Sequence, residues 1–405
     1  MQLAHLHLRD FRNYKQLSLD LPGGVVVLHG PNGSGKTSLL EAICVAASGD
    51  SPRARMTEEM VRSEAQHAFV RGEFMTRGRR ARLEIGLART GQRQIKIDGV
   101  ARRRDGLIGL APVVLFWAED IDMVRGEPAG RRRLIDRELS LISRTYAFHL
   151  SRYRRALEQR NRLLKFIREG RESSDALEPW DRALARHGAT VIVERRRFVS
   201  ALAPEVLAAH DLLTGTQKSL MIEYCPSVAL PDEQRLPLEG KEREAPAEEV
   251  ASGLLAALGD QRRVDIASGV TGCGPHREDI QLFLGGRSVR VFGSQGEQRS
   301  CAVAIRMGLA AVARAMTGEP PLVLLDDVLS ELDERHRQGV FAACGEPSGA
   351  TSFARDCAAA RGFPAGGVSD AAQVIITCCD YEDIPAEVRA SASSFEVVMG
   401  TVGAR

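Results

Sequence analysis

The sequence predicts an α/β fold interrupted by a helical segment, and three observations carry that expectation. Two wholly apolar runs, VVVL (25–28) and LVLL (322–325), read as fully buried strands. The first leads into a glycine-rich loop and a helix-period segment, the second into a pair of aspartates. Between them, from about 131 to 213, the pattern changes to long amphipathic helices.

Taken in order, LAHLHLRDF alternates as a half-buried strand does, and VVVLHG (25–30) follows as a buried strand ending in glycine. KTSLLEAICVAAS (36–48) places Leu39, Leu40, Ile43 and Ala47 at helical spacing. Short strand-like runs come next: AFVRGEF, ARLEIGLA, RQIKIDG with an Asp98-Gly99 turn signal, and VVLFW (113–117). RRRLIDRELSLIS, YRRALEQRNRLLKFI and the run from Trp180 to Leu213 are helical, interrupted at 168–179 and too broken for an extended coiled-coil arm. Residues 230–249 read as an exposed loop, and DIQLFLGGRSVRVF (279–292) as a hairpin through Gly285-Gly286. PLVLLDD (321–327) and QVIITCC (373–379) close the strand set, separated by a Gly/Ala/Ser-rich segment at 345–370 that reads as a mobile insertion.

A chain of 405 residues exceeds one simple core, so at least two lobes are expected. No apolar run approaches the roughly 20 residues needed to span a bilayer, and the N-terminus lacks the pattern of a signal peptide. A cytoplasmic protein with no membrane partner is expected. The eight cysteines form no Cys-x-x-Cys pair, which argues against a zinc ribbon or redox motif, and Cys378-Cys379 reads as a strand end. Net charge is +2, but residues 101–200 hold 22 Lys and Arg against 14 Asp and Glu. That basic third suits either a polyanion or a solvated helical face.

Gly30-Pro31-Asn32-Gly33-Ser34-Gly35-Lys36-Thr37 fits the phosphate-binding pattern G-x-x-x-x-G-K-[ST] between a strand and a helix. Its glycines let backbone N–H groups turn toward phosphate oxygens, and the helix start adds partial positive charge. Lys36 suits the β- and γ-phosphates; Thr37 suits Mg²⁺, with Ser38 following. Asp326, at the end of a buried strand, suits the cation's shell, and Asp327 suits orienting or deprotonating an attacking water.

GSQGEQRS (293–300) opens a second helix with a hydroxyl, a bare backbone N–H and a helix dipole, again suited to a phosphate. One phosphate face cannot use two such cradles. Ser294, Gln295, Gly296 and Glu297 are therefore expected to complete the site of a second copy, in a twofold ATP sandwich.

The order of P-loop, signature helix and DD-x-x-SELD resembles the ABC-type ATPase heads of the SMC superfamily. Within it the chain resembles the RecF family over nearly its whole length. The matching pieces are FRNY (11–14), GPNGSGKT (30–37), LFWAEDIDMVRGEPAGRRRLID (115–136), TGCGPHRED (271–279), GSQGEQRS and LLDDVLSELD (324–333). The resemblance implies an α/β ABC-type ATPase head, a P-loop core sheet plus an antiparallel β subdomain, with an inserted α-helical lobe. The expected segments are 1–130, 131–260 and 261–405. It further implies ATP and Mg²⁺ as cofactors, an ATP-dependent homodimer, and slow DNA-stimulated hydrolysis serving recombinational repair and replication-fork maintenance. The implied partners are duplex DNA, single-strand/duplex junctions, RecR with RecO, and RecA indirectly. Carried over by residue, Lys36, Thr37 and Asp326 bind MgATP, and Asp327 promotes hydrolysis. Ser294 to Gly296 act in trans, and Ser330 and Asp333 form the D-loop. Arg12 and Asn13 are placed near the nucleotide.

Three departures stand out: Ala118 replaces a customary Pro, the segment after 345 is long, and Thr377 stands about where a transporter-type switch His would be. Arg131, Arg132, Arg133, Arg152, Arg154 and Arg155 suit phosphate contacts; Arg131 to Arg133 equally suit anchoring the lobe to the loop before it. No aromatic interleaving along the sequence suggests base stacking. The competing reading is a transporter ATPase subunit on a membrane permease, which keeps its P-loop and signature much closer together than the about 260 residues here. A P-loop kinase has no use for a signature helix.

Overall fold

The computed structural model describes residues 1–117, 120–216, 218–228, 247–327, 337 and 373–404. Ala118, Ser330, Asp333, the 345–370 segment and most of the 230–249 loop lie outside these residues. The chain forms two compact units: Met1–Ile121 with Glu205–Lys218 and Gln295–Arg405, and Asp122–Pro204 with Ser219–Ser294.

In the first unit, β1 (Gln2–Phe11) and β2 (Tyr14–Asp20) form a hairpin. β3 (Val25–His29) is buried at all five positions, and α1 (Lys36–Ser48) follows the glycine loop. Then come β4 (His67–Thr76), β5 (Arg79–Ala88), β6 (Arg93–Ile97), β7 (Val100–Arg102) and β8 (Val113–Trp117). The outer sheet, in order β2-β1-β4-β5-β6-β7, is antiparallel throughout. Its alternating strands bury Leu6, Leu8, Val70, Phe74, Leu83 and Ile85 in one core with Leu39, Leu40 and Ile43 of α1. That core continues to Leu324 and Ile375, so α1 is held against both sheets.

The second unit begins with α2 (Ile121–Arg125) and α3 (Pro128–Ile142), which has Pro at its start where no N–H is needed. Ser143 caps α4 (Arg144–Arg168) by accepting from Tyr146 N. α5 (Glu178–Thr214) belongs to this unit as far as Pro204. β9 (Leu220–Cys225), α6 (Ala247–Asp260), α7 (Arg262–Ser268), β10 (Asp279–Leu284), β11 (Arg287–Ser288) and α8 (Val289–Phe292) complete it. β10 pairs antiparallel with both β9 and β11. That pairing carries the unit on to residue 294, where the sequence suggested a boundary at 260. The hairpin at Gly285-Gly286 forms as expected, but its second arm turns helical after Ser288.

α9 (Gln295–Thr317), β12 (Leu322–Asp326), β13 (Val374–Cys378), β14 (Ser393–Val398) and β15 (Thr401–Ala404) return to the first unit. The central sheet runs β15-β14-β3-β13-β12-β8, parallel except for β15. α9 is long and apolar enough to cross a membrane, but 72% of its most apolar window is buried inside the protein, as in a core helix. Arg306 on α9 is buried in a bidentate pair with Asp120 (2.9 and 2.6 Å), whose Oδ2 also accepts from Trp117 N. Cys378 and Cys379 are free thiols.

Two sequence blocks turn out to build the second unit's interior. Arg131 lies in a fork with Asp279 (2.8 and 2.9 Å) and donates to Gly126 O, while Arg132 donates to Glu278 O. Arg195 binds Asp136 (2.7 Å) and Glu278 (3.0 Å), and Arg160 binds Asp181, Asp265 and Thr271. Burial pushes the Glu278 carboxyl above its ordinary range, against the opposing pull of Arg195.

His276, in the same block, bonds Tyr153 OH (2.6 Å) and Thr271 O (3.0 Å). Desolvation lowers its pKa to about 4, which outweighs the bond to Thr271 O. The unfolded ring titrates near 6.5, so between pH 6.5 and 4 the unfolded chain binds the extra proton. Stability is therefore complete above pH 6.5 and falls as the pH drops toward 4. We expect His276→Gln to remove about 2 kcal/mol of that acid-linked loss, read from urea midpoints across the interval. An unchanged pH slope would show that the ring is not the titrating group.

Candidate nucleotide site

The loop between β3 and α1 is shaped by glycines that no other residue could replace. Gly30 has φ 149° with Val397 O only 2.3 Å from where a Cβ would lie. Gly35 has φ 117°, and a Cβ there would meet Asn13 Nδ2 at 2.5 Å and Tyr14 OH at 2.7 Å. Left-handed backbone and close approach together demand glycine.

The FRNY stretch explains that crowding. Asn13 Nδ2 donates to Ser34 O (3.1 Å) and Tyr14 OH to Gly35 O (3.0 Å). Gly400, in the turn between β14 and β15, donates its N–H to Ser34 O (3.1 Å). These contacts hold the loop carbonyls, while of the loop N–H groups Gly30 donates to Cys378 O (3.3 Å) and Ser34 to Pro31 O (3.2 Å). Arg12 is forked onto buried Glu41 by two bonds of 2.8 Å. Arg12 thus lines the cleft with its charge already shared.

Lys36 Nζ donates to Gly30 O (2.6 Å) and Pro31 O (3.0 Å), closing the loop on itself. Ser34 Oγ is buried in the loop and makes no hydrogen bond among the described residues. Asn32 Oδ1 accepts from Cys379 Sγ at 2.9 Å.

The acidic end of β12 meets this loop directly. Thr37 Oγ1 donates to Asp326 Oδ1 at 3.0 Å. The sheet register sets Asp326 beside Thr377, whose hydroxyl donates to the same oxygen at 2.8 Å. That hydroxyl also accepts the Asp327 N–H at 3.0 Å. Asp327 leaves the strand with φ 54°, a left-handed conformation that aspartate tolerates. It lines a cleft of about 820 Å³ with Lys36, Thr37, Ser38, Asn32 and Asp326. Thr377, noted in the sequence for not being a histidine, bonds the Asp326 carboxylate and the Asp327 backbone N–H.

The cleft extends past the P-loop to Val61, Arg62, Ser63 and Arg89, none of which the sequence marks. Among the described residues its lining includes none of Ser294, Gln295, Gly296 or Glu297. Ser294 to Gly296 are exposed at the start of α9, next to Val291 and Phe292, each 68% exposed. No Cβ at Gly296 would meet anything within 4 Å. Glu297 is paired with Lys218 at 2.8 Å. Of the basic candidates, Arg131 is buried, and Arg154 is tied to Asp136 (2.8 Å); Arg133, Arg152 and Arg155 are exposed.

Strand, loop and acidic pair in this topology define an ATPase head of the SMC type. The RecF/RecN/SMC N terminal domain family matches residues 2–351. The chain belongs to the RecF family of DNA replication and repair proteins. It is 38% identical to RecF of Roseiflexus castenholzii over 363 residues, 84% of this chain and 89% of that protein. It is 35% identical to RecF of Symbiobacterium thermophilum over 406 residues, 99% of this chain and 98% of that one. Among solved structures, the ATP form of the recombination mediator protein RecF of the RecFOR pathway superposes with a TM-score of 0.82 at 27% identity. That match covers 100% of this chain and 97% of the other. A Pyrococcus furiosus Smc head shares the fold alone, at 13% identity and a TM-score of 0.50, over 100% of this chain and 95% of that one. Family membership replaces the transporter reading.

Thr377→Val keeps the side-chain volume and removes the hydroxyl. We expect it to destabilise the protein by about 1–3 kcal/mol in urea denaturation, because the Asp327 N–H is left without its acceptor. A change below about 0.5 kcal/mol would mean the hydroxyl does not organise the acidic pair.

Proposed function

We propose that this chain is an ATP-driven DNA clamp of recombinational repair whose nucleotide site is completed by a second copy. The observation that carries the reading is the division of the site. Lys36, Thr37, Asp326 and Asp327 share one cleft, while the described signature residues Ser294 to Glu297 stand outside it on an exposed helix start.

The loop's remaining N–H groups and Lys36 would bind the β- and γ-phosphates of ATP. Thr37 and Asp326 form a hard oxygen pair that suits Mg²⁺. Bound there, the cation would supply charge neutralisation across the β- and γ-phosphates. Asp327 would accept the proton of the attacking water as its oxygen bonds to the γ-phosphorus and ADP leaves. Ser294, Gln295 and Gly296 of the second copy would donate to the γ-phosphate, so hydrolysis would release the pair. Slow hydrolysis serves such a switch better than rapid turnover. Duplex DNA and gap junctions are the proposed substrates, with RecR and RecO as partners in loading RecA, in the cytoplasm.

Three variants separate the roles. Lys36→Met should abolish nucleotide binding. Ser294→Arg should retain binding but give no ATP-dependent dimer in sedimentation, and normal dimers in that variant would sink the trans assignment. Asp327→Asn should hold an ATP dimer with hydrolysis lowered about 100-fold or more, the scale of a lost general base. Unchanged turnover there would remove Asp327 from the chemistry.

A further inference from the structure

Two tight turns, far apart in sequence, meet on the same carbonyl of the glycine loop. Arg12-Asn13 joins β1 to β2, and Met399-Gly400 joins β14 to β15. Asn13 Nδ2 and Gly400 N both donate to Ser34 O, each at 3.1 Å. The turns also press on each other, since a Cβ at Gly400 would lie 2.9 Å from Asn13 O. Sheet pairing brings the second turn there. β14 runs parallel to β3 with Glu396 beside His29, so both strands end next to the loop.

Both turns hold a long side chain at positive φ, Arg12 at 51° and Met399 at 47°. In the second turn Gly400 is left-handed too, with φ 82°. A two-residue hairpin of that kind favours Asn-Gly, and methionine is a poor first residue for it. Met399 is 85% exposed, so burial of its side chain does not offset the conformation. Strain of this sort persists where the surroundings over-determine the backbone, and it gathers at functional sites. Thr401 Oγ1 closes the turn on Val398 O (2.6 Å), while the Gly400 N–H goes to the loop.

We propose that Gly400 and Asn13 are positioning residues that aim the phosphate loop. A peptide unit is planar and trans, so its N–H points away from its C=O. Pinning Ser34 O under two donors therefore fixes the direction of the Gly35 N–H, on the opposite edge of the same plane. Gly35 lines the cleft, and its N–H is one of those that phosphate binding needs. The cradle is thus set before a nucleotide arrives, which lowers the cost of ordering it on binding. The inference rests on the nucleotide reading above for its use, but the brace itself is tested without nucleotide.

The test is hydrogen exchange of the full-length protein without nucleotide, followed by titration with ATP and ADP. Gly400→Asn keeps a residue that tolerates the left-handed region and adds the Cβ that meets Asn13 O. Segment 30–38 should exchange about 10-fold faster, the scale of one lost hydrogen bond, with β4 and β5 unchanged. ATP and ADP should both bind about 10-fold more weakly, while kcat at saturating ATP changes by less than about twofold. Asn13→Ala, which removes the other donor, should speed exchange in the same segment. Met399→Asn gives the turn the Asn-Gly pair it favours, and is expected to raise the urea midpoint and leave nucleotide affinity at the wild-type value. Wild-type exchange at 30–38 in both Gly400→Asn and Asn13→Ala, or a rise spread evenly over β4 and β5 as well, would overturn the proposal. So would nucleotide affinities that track the urea midpoint through all three variants. Faster exchange in a protein that binds no ATP would leave the brace standing and remove the nucleotide reading instead.

Discussion

The nucleotide cleft depends on a single carboxylate oxygen. Asp326 Oδ1 receives the hydroxyls of Thr37, from the helix after the P-loop, and of Thr377, from the neighbouring strand. Parallel pairing of β12 with β13 in this register makes the second contact unavoidable, since Asp326 lies opposite Thr377. The P-loop and the acidic strand are distant in sequence, yet their relative position is fixed by hydrogen bonds about 3 Å long. A buried carboxylate that accepts two such bonds is satisfied and stationary, which is what positioning a cation or a water requires.

The second unit follows a different rule. Its interior contains Arg160 and Arg195, both nearly inaccessible and each bound to two carboxylates. Such groups contribute little net stability, because desolvation offsets their attraction. Removing one partner, however, leaves a charge buried without compensation, at about 3–5 kcal/mol. Geometry is enforced by that penalty. Arg160 joins α4 to Asp181 at the start of α5 and to Asp265 of α7, while Arg195 joins α5 to Asp136 of α3 and to Glu278.

The cleft was legible in the sequence because its parts are local patterns: a glycine loop before a helix, and an apolar run ending in two acids. The alternating strands were legible for the same reason. The limit at 294 was not, because β9 and β10 pair across more than fifty residues and no short window registers a nonlocal ladder. In FRNY, Arg12 and Asn13 were read as near the nucleotide; both line the cleft, and Asn13 and Tyr14 also bond the backbone of the loop itself, which the sequence did not suggest. Arg131 was read either as a phosphate contact or as an anchor of the lobe to the loop before it, and it bonds Gly126 O of that loop; Arg154 looked available because composition counts charges without counting partners. Read linearly, α4 shows no aromatic interleaving. Read at its helical period, it does, because Phe148 and Phe166 are eighteen residues and five whole turns apart.

The basic third of the chain therefore holds two populations of arginine with opposite physical roles. Arg131, Arg160 and Arg195 are buried, and their charge is cancelled within a few ångströms, so they contribute little field outside the protein. Arg152, Arg155 and Arg162 are exposed and make no ion pair among the described residues, and on one helix face their fields add. The two roles meet on α4. Arg160, on its buried side, fixes the helix to α5 and α7, and a helix so fixed presents its opposite side as a rigid array. The inward ion pairs, poor as net stabilisers, thus act by fixing the spacing of the three helices they join.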